Sequence, residues 1–243
     1  MKILWFTSTC SLYDNNSSYN GGGWIESLEK IIRVHPEIEL GISFFHKTGS
    51  EKKVKDDTTY YPILRRLQKI NPLKKLIRNW KGIIKIDDLQ KDVEKVISDF
   101  NPDLIQVFGT EGPFSIIQNY TKVPVLYHIQ GIINPCLNTY FPINQSKFNF
   151  HLSYNYLLQT IKGNNPAFDL LRFKNQALRE KNVLKKAKYV MGRTHWDNLV
   201  VKLYNPNVQY FHVDEALRPD FYNISPVVKF KRNKQVKIIS TLS

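Results

Sequence analysis

The sequence predicts an α/β protein built on a Rossmann-like parallel sheet with helices on both faces. Three observations carry that expectation. An apolar run at 3–6, a glycine-rich loop at Gly21, Gly22 and Gly23, a helix-spaced segment at 25–32 and a second apolar run at 38–45 spell a βαβ unit. Strand-like and helix-like segments then keep alternating to residue 211, as a parallel sheet with crossover helices requires. Polar and glycine residues follow the strands in turn, where ligands of such sheets collect.

Taken in order, the first strand leads through a polar segment to Asn20-Gly21-Gly22-Gly23-Trp24. Three glycines let the backbone approach a ligand, and the helix start beyond them presents unpaired N–H groups and a partial positive charge, so this loop is a candidate phosphate cradle. A plain surface loop uses the same residues. His35-Pro36-Glu37 ends the helix, and residues 47–57, polar and charged, read as a mobile connection.

Residues 60–86 differ in kind. Arg65, Arg66, Lys69, Lys74, Lys75, Arg78, Lys81 and Lys85 occur with no acidic residue among them. Leu64, Leu67, Ile70, Leu73, Ile77, Trp80 and Ile84 recur three or four apart, so one helical face is apolar and the rest basic, with a break at Pro72. This is the pattern of a helix lying on an anionic membrane surface, with Arg65, Arg66, Lys69, Lys74, Lys75, Arg78, Trp80 and Lys81 as the contacts. A surface helix packing its stripe on its own domain gives the same pattern.

An amphipathic helix at 87–100 precedes a buried strand at 104–108, which runs into Gly109-Thr110-Glu111-Gly112-Pro113; Pro113 suits the first turn of a helix at 114–120. The strand at 123–127 delivers His128-Ile129-Gln130-Gly131 to the same edge, where a lone histidine is either a catalytic group or, more commonly, a hydrogen-bonded structural residue. Residues 134–165 are aromatic-rich and irregular, an insert on the acceptor side. A long basic helix at 168–188, a short strand at 189–192, a helix capped by Thr194 and a last strand at 208–211 complete the sheet, with Arg193 at its edge, either facing the crevice or held in a salt bridge that fixes the loop. Residues 1–235 are thus expected to form one domain, and the strand-like residues 236–243 are expected either to begin a C-terminal donor-binding domain or to add to the first domain's sheet.

A formal net charge of +14 implies anionic partners without choosing among nucleotide phosphates, nucleic acid and an acidic membrane face. Cys10 and Cys136 are too few for a disulfide framework, and no His/Cys cluster has the spacing of a metal site. Without a secretory leader or a membrane-spanning run, the expected place is the cytoplasm, on the inner face of the membrane if the basic stretch meets lipid rather than its own domain.

With these residues in view, the chain resembles over essentially its whole length the N-terminal half of a family-four glycosyltransferase of the GT-B fold, of the bacterial polysaccharide-biosynthesis kind. The marks are Gly21-Gly22-Gly23-Trp24 after the opening strand, Phe108-Gly109-Thr110-Glu111, the segment from Val125 to Gly131 with His128, and Gly192-Arg193-Thr194 before a helix. The resemblance implies a two-domain enzyme that transfers a sugar, with retention and without a metal, from a nucleotide sugar to a glycan or lipid-linked acceptor. The nucleotide sugar is a co-substrate, and no cofactor is implied. Gly21, Gly22 and Gly23 would reach toward the donor phosphates, with Arg193 and Thr194 lining the cleft. His128 would lie at the reacting end of the transferred sugar, and Trp24, Glu111 and Gln130 would face the acceptor. The family's paired glutamates and basic diphosphate-binding residues belong to the second domain, so this chain alone is expected to be inactive.

Two other readings stand beside it. A dinucleotide-binding dehydrogenase domain needs its glycines directly after the first strand, whereas about a dozen residues intervene here, and the second strand ends at Phe45-His46 without an acid. A noncatalytic basic domain for nucleic acid or a membrane surface fits the charge, but no nucleic-acid motif is present and no nucleic-acid partner is expected.

Overall fold

The computed structural model describes residues 1–14, 23–48, 51–64, 73, 87–140, 166–218 and 221–222. Among them, eight strands form one sheet in the order β3-β4-β2-β1-β5-β6-β7-β8. The strands are β1 (Lys2–Thr7), β2 (Glu39–His46), β3 (Lys53–Lys55), β4 (Thr58–Leu64), β5 (Leu104–Phe108), β6 (Val125–His128), β7 (Tyr189–Gly192) and β8 (Gln209–His212). The helices are α1 (Gly23–Ile32), α2 (Asp87–Phe100), α3 (Ile133–Asn138), α4 (Pro166–Lys186) and α5 (His195–Tyr204), with a 3-10 helix at Pro113–Asn119 that has proline in its first turn. All pairings are parallel except β3 with β4.

Strand β1 shows why both faces are covered. Its side chains alternate, so Ile3 and Trp5 join a core with Ile25 of α1, Ile42, Tyr60 and Phe108, while Leu4 and Phe6 join a larger core. Leu89, Val93, Val96 and Phe100 of α2 enter that second core, recurring every three or four residues, with Val183 and Leu184 of α4. The chain leaves β1 toward β2 on one side and later returns to pair β5 on the other, so the order reverses between β1 and β5. Crevices at such reversals, outside the carboxyl ends of the strands, are where ligands bind.

Two expectations are corrected. Residues 47–57 are not simply a connection: β3 and β4 form a hairpin whose two-residue turn, Asp56 and Asp57, has φ of 49° and 61°. Both turn residues at positive φ match the right-handed twist of the strands, and aspartate tolerates that region. The stretch read as a basic helix from residue 60 begins instead as β4, whose Thr58-Thr59-Tyr60-Tyr61 favours a pleated, half-buried surface. Pro62 is accommodated because β3 pairs only with Thr58 to Tyr60, so among the described residues no strand pairs with Pro62 on that side. The basic residues Arg65, Arg66, Lys69, Lys74, Lys75, Arg78 and Lys81, with Trp80, lie outside the described residues, as do Gly21, Gly22 and residues 236–243. The first part of the aromatic insert is helical, as α3; residues 141–165 also lie outside.

Candidate functional site

The loop after β1 is tied down by a buried carboxylate. Glu29 of α1, fully buried, accepts from Ser11 Oγ at 2.5 Å and Leu12 N at 3.3 Å through Oε2. Its Oε1 takes Arg33 Nη2 at 2.6 Å and the Tyr60 hydroxyl, and Arg33 continues to Asp56 at 2.9 Å. Burial and the Glu29 carboxylate push the Tyr60 hydroxyl well above its ordinary range, so it stays a proton donor. The network ties α1 to β4 and to Ser11 and Leu12 in the loop after β1.

Helix α1 then projects Trp24 across the order reversal. Its ring lies 5.5 Å from Phe108 at the end of β5 and 5.2 Å from His128 at the end of β6. His128 is 1% exposed and also packs on Phe108 at 5.3 Å. Its Nδ1 lies 3.4 Å from Gln106 Nε2; with that amide donating, the ring proton resides on Nε2, which is buried and without a partner. Burial first, and the Arg193 cation second, lower its pKa to about 4. The ring is therefore neutral at pH 7 and carries one unused donor, a costly state for a buried group unless a ligand meets it.

Arg193 follows β7 and is not free. Nη1 pairs with Glu215 Oε1 at 2.7 Å, and Nη2 donates to Gln130 O at 2.8 Å, so Arg193 clips the segment after β8 to the loop after β6. Thr194 is the helix cap expected of it: its side chain accepts from Asp197 N at 3.0 Å, and Asp197 Oδ2 accepts from Thr194 N at 3.0 Å, a reciprocal capping box.

Glu111 follows β5 on a separate side of the edge. Gly109 takes φ of 88°, a conformation open to glycine, and a Cβ there would lie 2.7 Å from the Glu111 carboxylate, which folds back onto it. Burial, reinforced by Glu180, raises the Glu111 pKa, and its Oε2 has no partner. Arg179 donates to the Glu111 main-chain oxygen at 2.6 Å. Glu180 accepts from Thr110 Oγ1 at 2.8 Å, Ile133 N at 2.9 Å, Asn134 N at 3.1 Å and Asn134 Nδ2 at 2.8 Å, so it docks α3 against the β5 loop.

The structure thus brings Trp24, His128 and Gly23 to one crevice, sets Arg193 and Gln130 at its wall, and places Glu111 with Arg179 beside it. Gln106, Glu180, Arg179 and Arg218 escaped the sequence reading. A glutamine inside an apolar strand and a glutamate on the Ala177–Leu184 stripe of α4 were signals for the first two. Among the described residues no group of three or more His, Cys, Asp or Glu side chains is placed to hold a metal ion. None of their helices is long and apolar enough to cross a membrane. A cavity of about 390 Å³ opens between β4 and α2, but its Asp99 already takes Lys52 Nζ at 2.5 Å and the Tyr61 hydroxyl at 2.7 Å, so that carboxylate is satisfied internally.

The sheet order and the crevice at its reversal define a Rossmann-like half of a GT-B fold. Sucrose-phosphate synthase from Thermosynechococcus elongatus aligns with 87% of this chain and 47% of its own, with a TM-score of 0.56 and 8% identity. Medicago truncatula UGT71G1, solved with UDP-glucose, aligns with 89% of this chain and 52% of its own at 0.44 and 13% identity. Os79 from O. sativa, solved with UDP and deoxynivalenol-3-glucoside, aligns with 87% and 52% at 0.45 and 7% identity. At such identities the likeness is one of fold, and it is the first alignment that bears it. The chain spans about half the length of these proteins. No protein-family model and no curated protein sequence matches it.

Proposed function

We propose that the chain is the acceptor-side half of a retaining, metal-independent glycosyltransferase of the family-four, polysaccharide-building kind. It would move a sugar from a nucleotide donor to a glycan or lipid-linked acceptor, with a second α/β domain holding most of the donor. The observation that carries this reading is His128: a neutral imidazole, sealed behind Trp24 and Phe108, with an unused Nε2 donor at the order reversal. A neutral donor can hold a sugar hydroxyl near the reacting carbon without placing a full positive charge against it. The bond from that carbon to the diphosphate breaks as the bond to the acceptor oxygen forms, and the acceptor's hydroxyl proton passes to the departing diphosphate. Charge then builds on the diphosphate, where the N–H groups at the start of α1 and the preceding glycines would meet it. Trp24, Gln130 and Glu111 offer the acceptor an aromatic face and polar groups.

The test is donor turnover by the full-length protein. Screening nucleotide sugars should find one that is slowly hydrolysed, and His128→Ala should lower that rate about 100-fold or more, in the range of a single lost active-site hydrogen-bond donor. If no donor is bound or hydrolysed, and His128→Ala alters nothing measured, the reading is wrong.

A further inference from the structure

We propose that the outer face of α5, with the lysine turn at the end of α4, docks on an anionic lipid membrane. The docking stands on its own observations; that it brings a lipid-linked acceptor to the crevice rests on the glycosyltransferase reading.

Helix α5 carries more apolar surface than its packing uses. Val201 is fully buried, and Val200 and Tyr204 pack against the larger core, which accounts for one side of the helix. Trp196, Leu199 and Leu203 recur at spacings of three and four, so they line up as a second stripe. They are 47%, 51% and 82% exposed. Single apolar residues at a surface need no explanation, whereas a contiguous stripe on a short helix marks a place of contact.

Charge selects the partner. From residue 170 to residue 213 the acids are Glu180 and Asp197. Both are buried and committed, Glu180 to Thr110 and Asn134 and Asp197 to the capping box of α5. The same span exposes Lys181, Lys185, Lys186, Lys188 and Lys202, none of them in an ion pair with a described residue. The side chain of Asn205, just past α5, donates to Ala187 O at 2.8 Å, and Gln209 N donates to Lys188 O at 3.0 Å. These bonds set the turn at 185–188 beside the last turn of α5, where Lys202 and Leu203 stand. A stripe of Trp and Leu running into a lysine cluster matches a lipid surface, with the apolar side chains entering the acyl boundary and the lysines extending to anionic headgroups.

Other occupants fit less well. A second copy of this chain would bring the same lysines against one another across a two-fold contact. A donor-binding domain must face the carboxyl edge of the sheet, whereas the stripe leads away from it. Trp196 lies three residues past Arg193 of the crevice wall, and Leu203 lies about 10 Å further along the helix axis. A membrane resting on the stripe would therefore meet the crevice at its Arg193 wall. The surface is separate from the basic stretch at 65–81.

The experiment is cosedimentation of the full-length protein with vesicles. Mixed phosphatidylglycerol and phosphatidylcholine vesicles should bind it, less so in raised salt, and pure phosphatidylcholine at least tenfold more weakly. Leu199→Ser with Leu203→Ser, and separately Lys185→Glu with Lys188→Glu, should each weaken binding at least tenfold with an unchanged circular dichroism spectrum. The charge-matched Lys30→Glu with Lys53→Glu, on the opposite flank of the sheet, should not. Brominated phosphatidylglycerol should quench tryptophan fluorescence, and Trp196→Phe should abolish the quenching where Trp80→Phe does not. Absence of binding, or quenching that survives Trp196→Phe, would overturn the assignment. So would binding that Lys74→Glu, Lys75→Glu and Arg78→Glu abolish together but the α5 changes leave intact. A Leu199→Ser, Leu203→Ser protein that turns from dimer to monomer and keeps its vesicle affinity would give the stripe to a second copy instead. Vesicle binding through α5 without turnover of any nucleotide sugar would leave the docking standing and remove the glycosyltransferase reading. Sugar transfer without vesicle binding would do the reverse.

Discussion

The state of His128 predicts how stability depends on pH. Its pKa is lowered from 6.5 to about 4, by burial first and by Arg193 second. An unfolded chain would take up a proton at this residue as the pH falls through 6.5, while the folded protein resists until about 4. In that window the unfolded state binds more protons, so folding stability rises with pH and is lost as the medium is acidified. A tenfold difference in proton affinity between the two states corresponds to about 1.4 kcal/mol, so moving from pH 7 to pH 5 should cost the folded state about 2 kcal/mol through His128 alone. Glu111, whose pKa is raised, acts in the opposite direction at lower pH, so the comparison must be with a variant. Urea unfolding followed by circular dichroism at pH 7, 6 and 5 should show the wild type losing that increment relative to His128→Asn, which has no titrating ring. Arg193→Ala, which removes the smaller cause, should recover part of it. Equal pH slopes for wild type and His128→Asn would refute the buried, neutral imidazole and the use made of it above.

Two further outcomes concern the carboxylates that hold the loops. Glu180→Gln replaces two acceptor oxygens by one and turns an amide toward Thr110, Ile133 and Asn134; it should cost about 3 kcal/mol in urea unfolding. Hydrogen exchange at the Ile133 and Asn134 amides should accelerate in that variant, and unchanged protection would show that Glu180 does not anchor α3. Glu29→Gln leaves Arg33 without its buried partner and should also cost about 3 kcal/mol. A loss below about 1 kcal/mol would mean that solvent replaces the pairing, as it does for exposed ion pairs.

The central parallel strands were legible because their signals are local. The 104–108 strand, the 189–192 strand and the Thr194 cap are each announced by apolar runs or capping residues within a few positions. The β3–β4 hairpin was not, because Tyr60, Tyr61 and Leu64 fall into register with the apolar spacing of the basic stretch that follows, and a three-residue strand such as β3 has too little pattern to stand against it. At the site, His128 and Arg193 could be placed at strand ends from sequence. Their states could not. That Arg193 is spent on Glu215, and that Arg218 returns to Gly23, are contacts between residues 22 and 195 positions apart in the chain, which no local pattern encodes.

The loops at the carboxyl edge share a device that bears on what the crevice can select. Glu29 accepts from Leu12 N after β1, Glu180 from Ile133 N and Asn134 N after β6, and Asp197 from Arg193 N and Thr194 N after β7. All three carboxylates are buried and turned inward onto backbone donors of the loops they hold. Such charge-assisted bonds fix a loop more firmly than neutral ones. They also withdraw negative charge from the mouth of the crevice. The start of α1 and the exposed Arg218 guanidinium remain at that edge, while the unused Nε2 of His128 is buried. Not every acid at the edge is spent in this way, since Glu26 stands in the first turn of α1 and Asp214 is exposed after β8, while burial and Glu180 raise the Glu111 pKa. Three of the edge's acids are thus consumed in holding its loops, so the contacts that fix the crevice also leave less negative charge at its mouth.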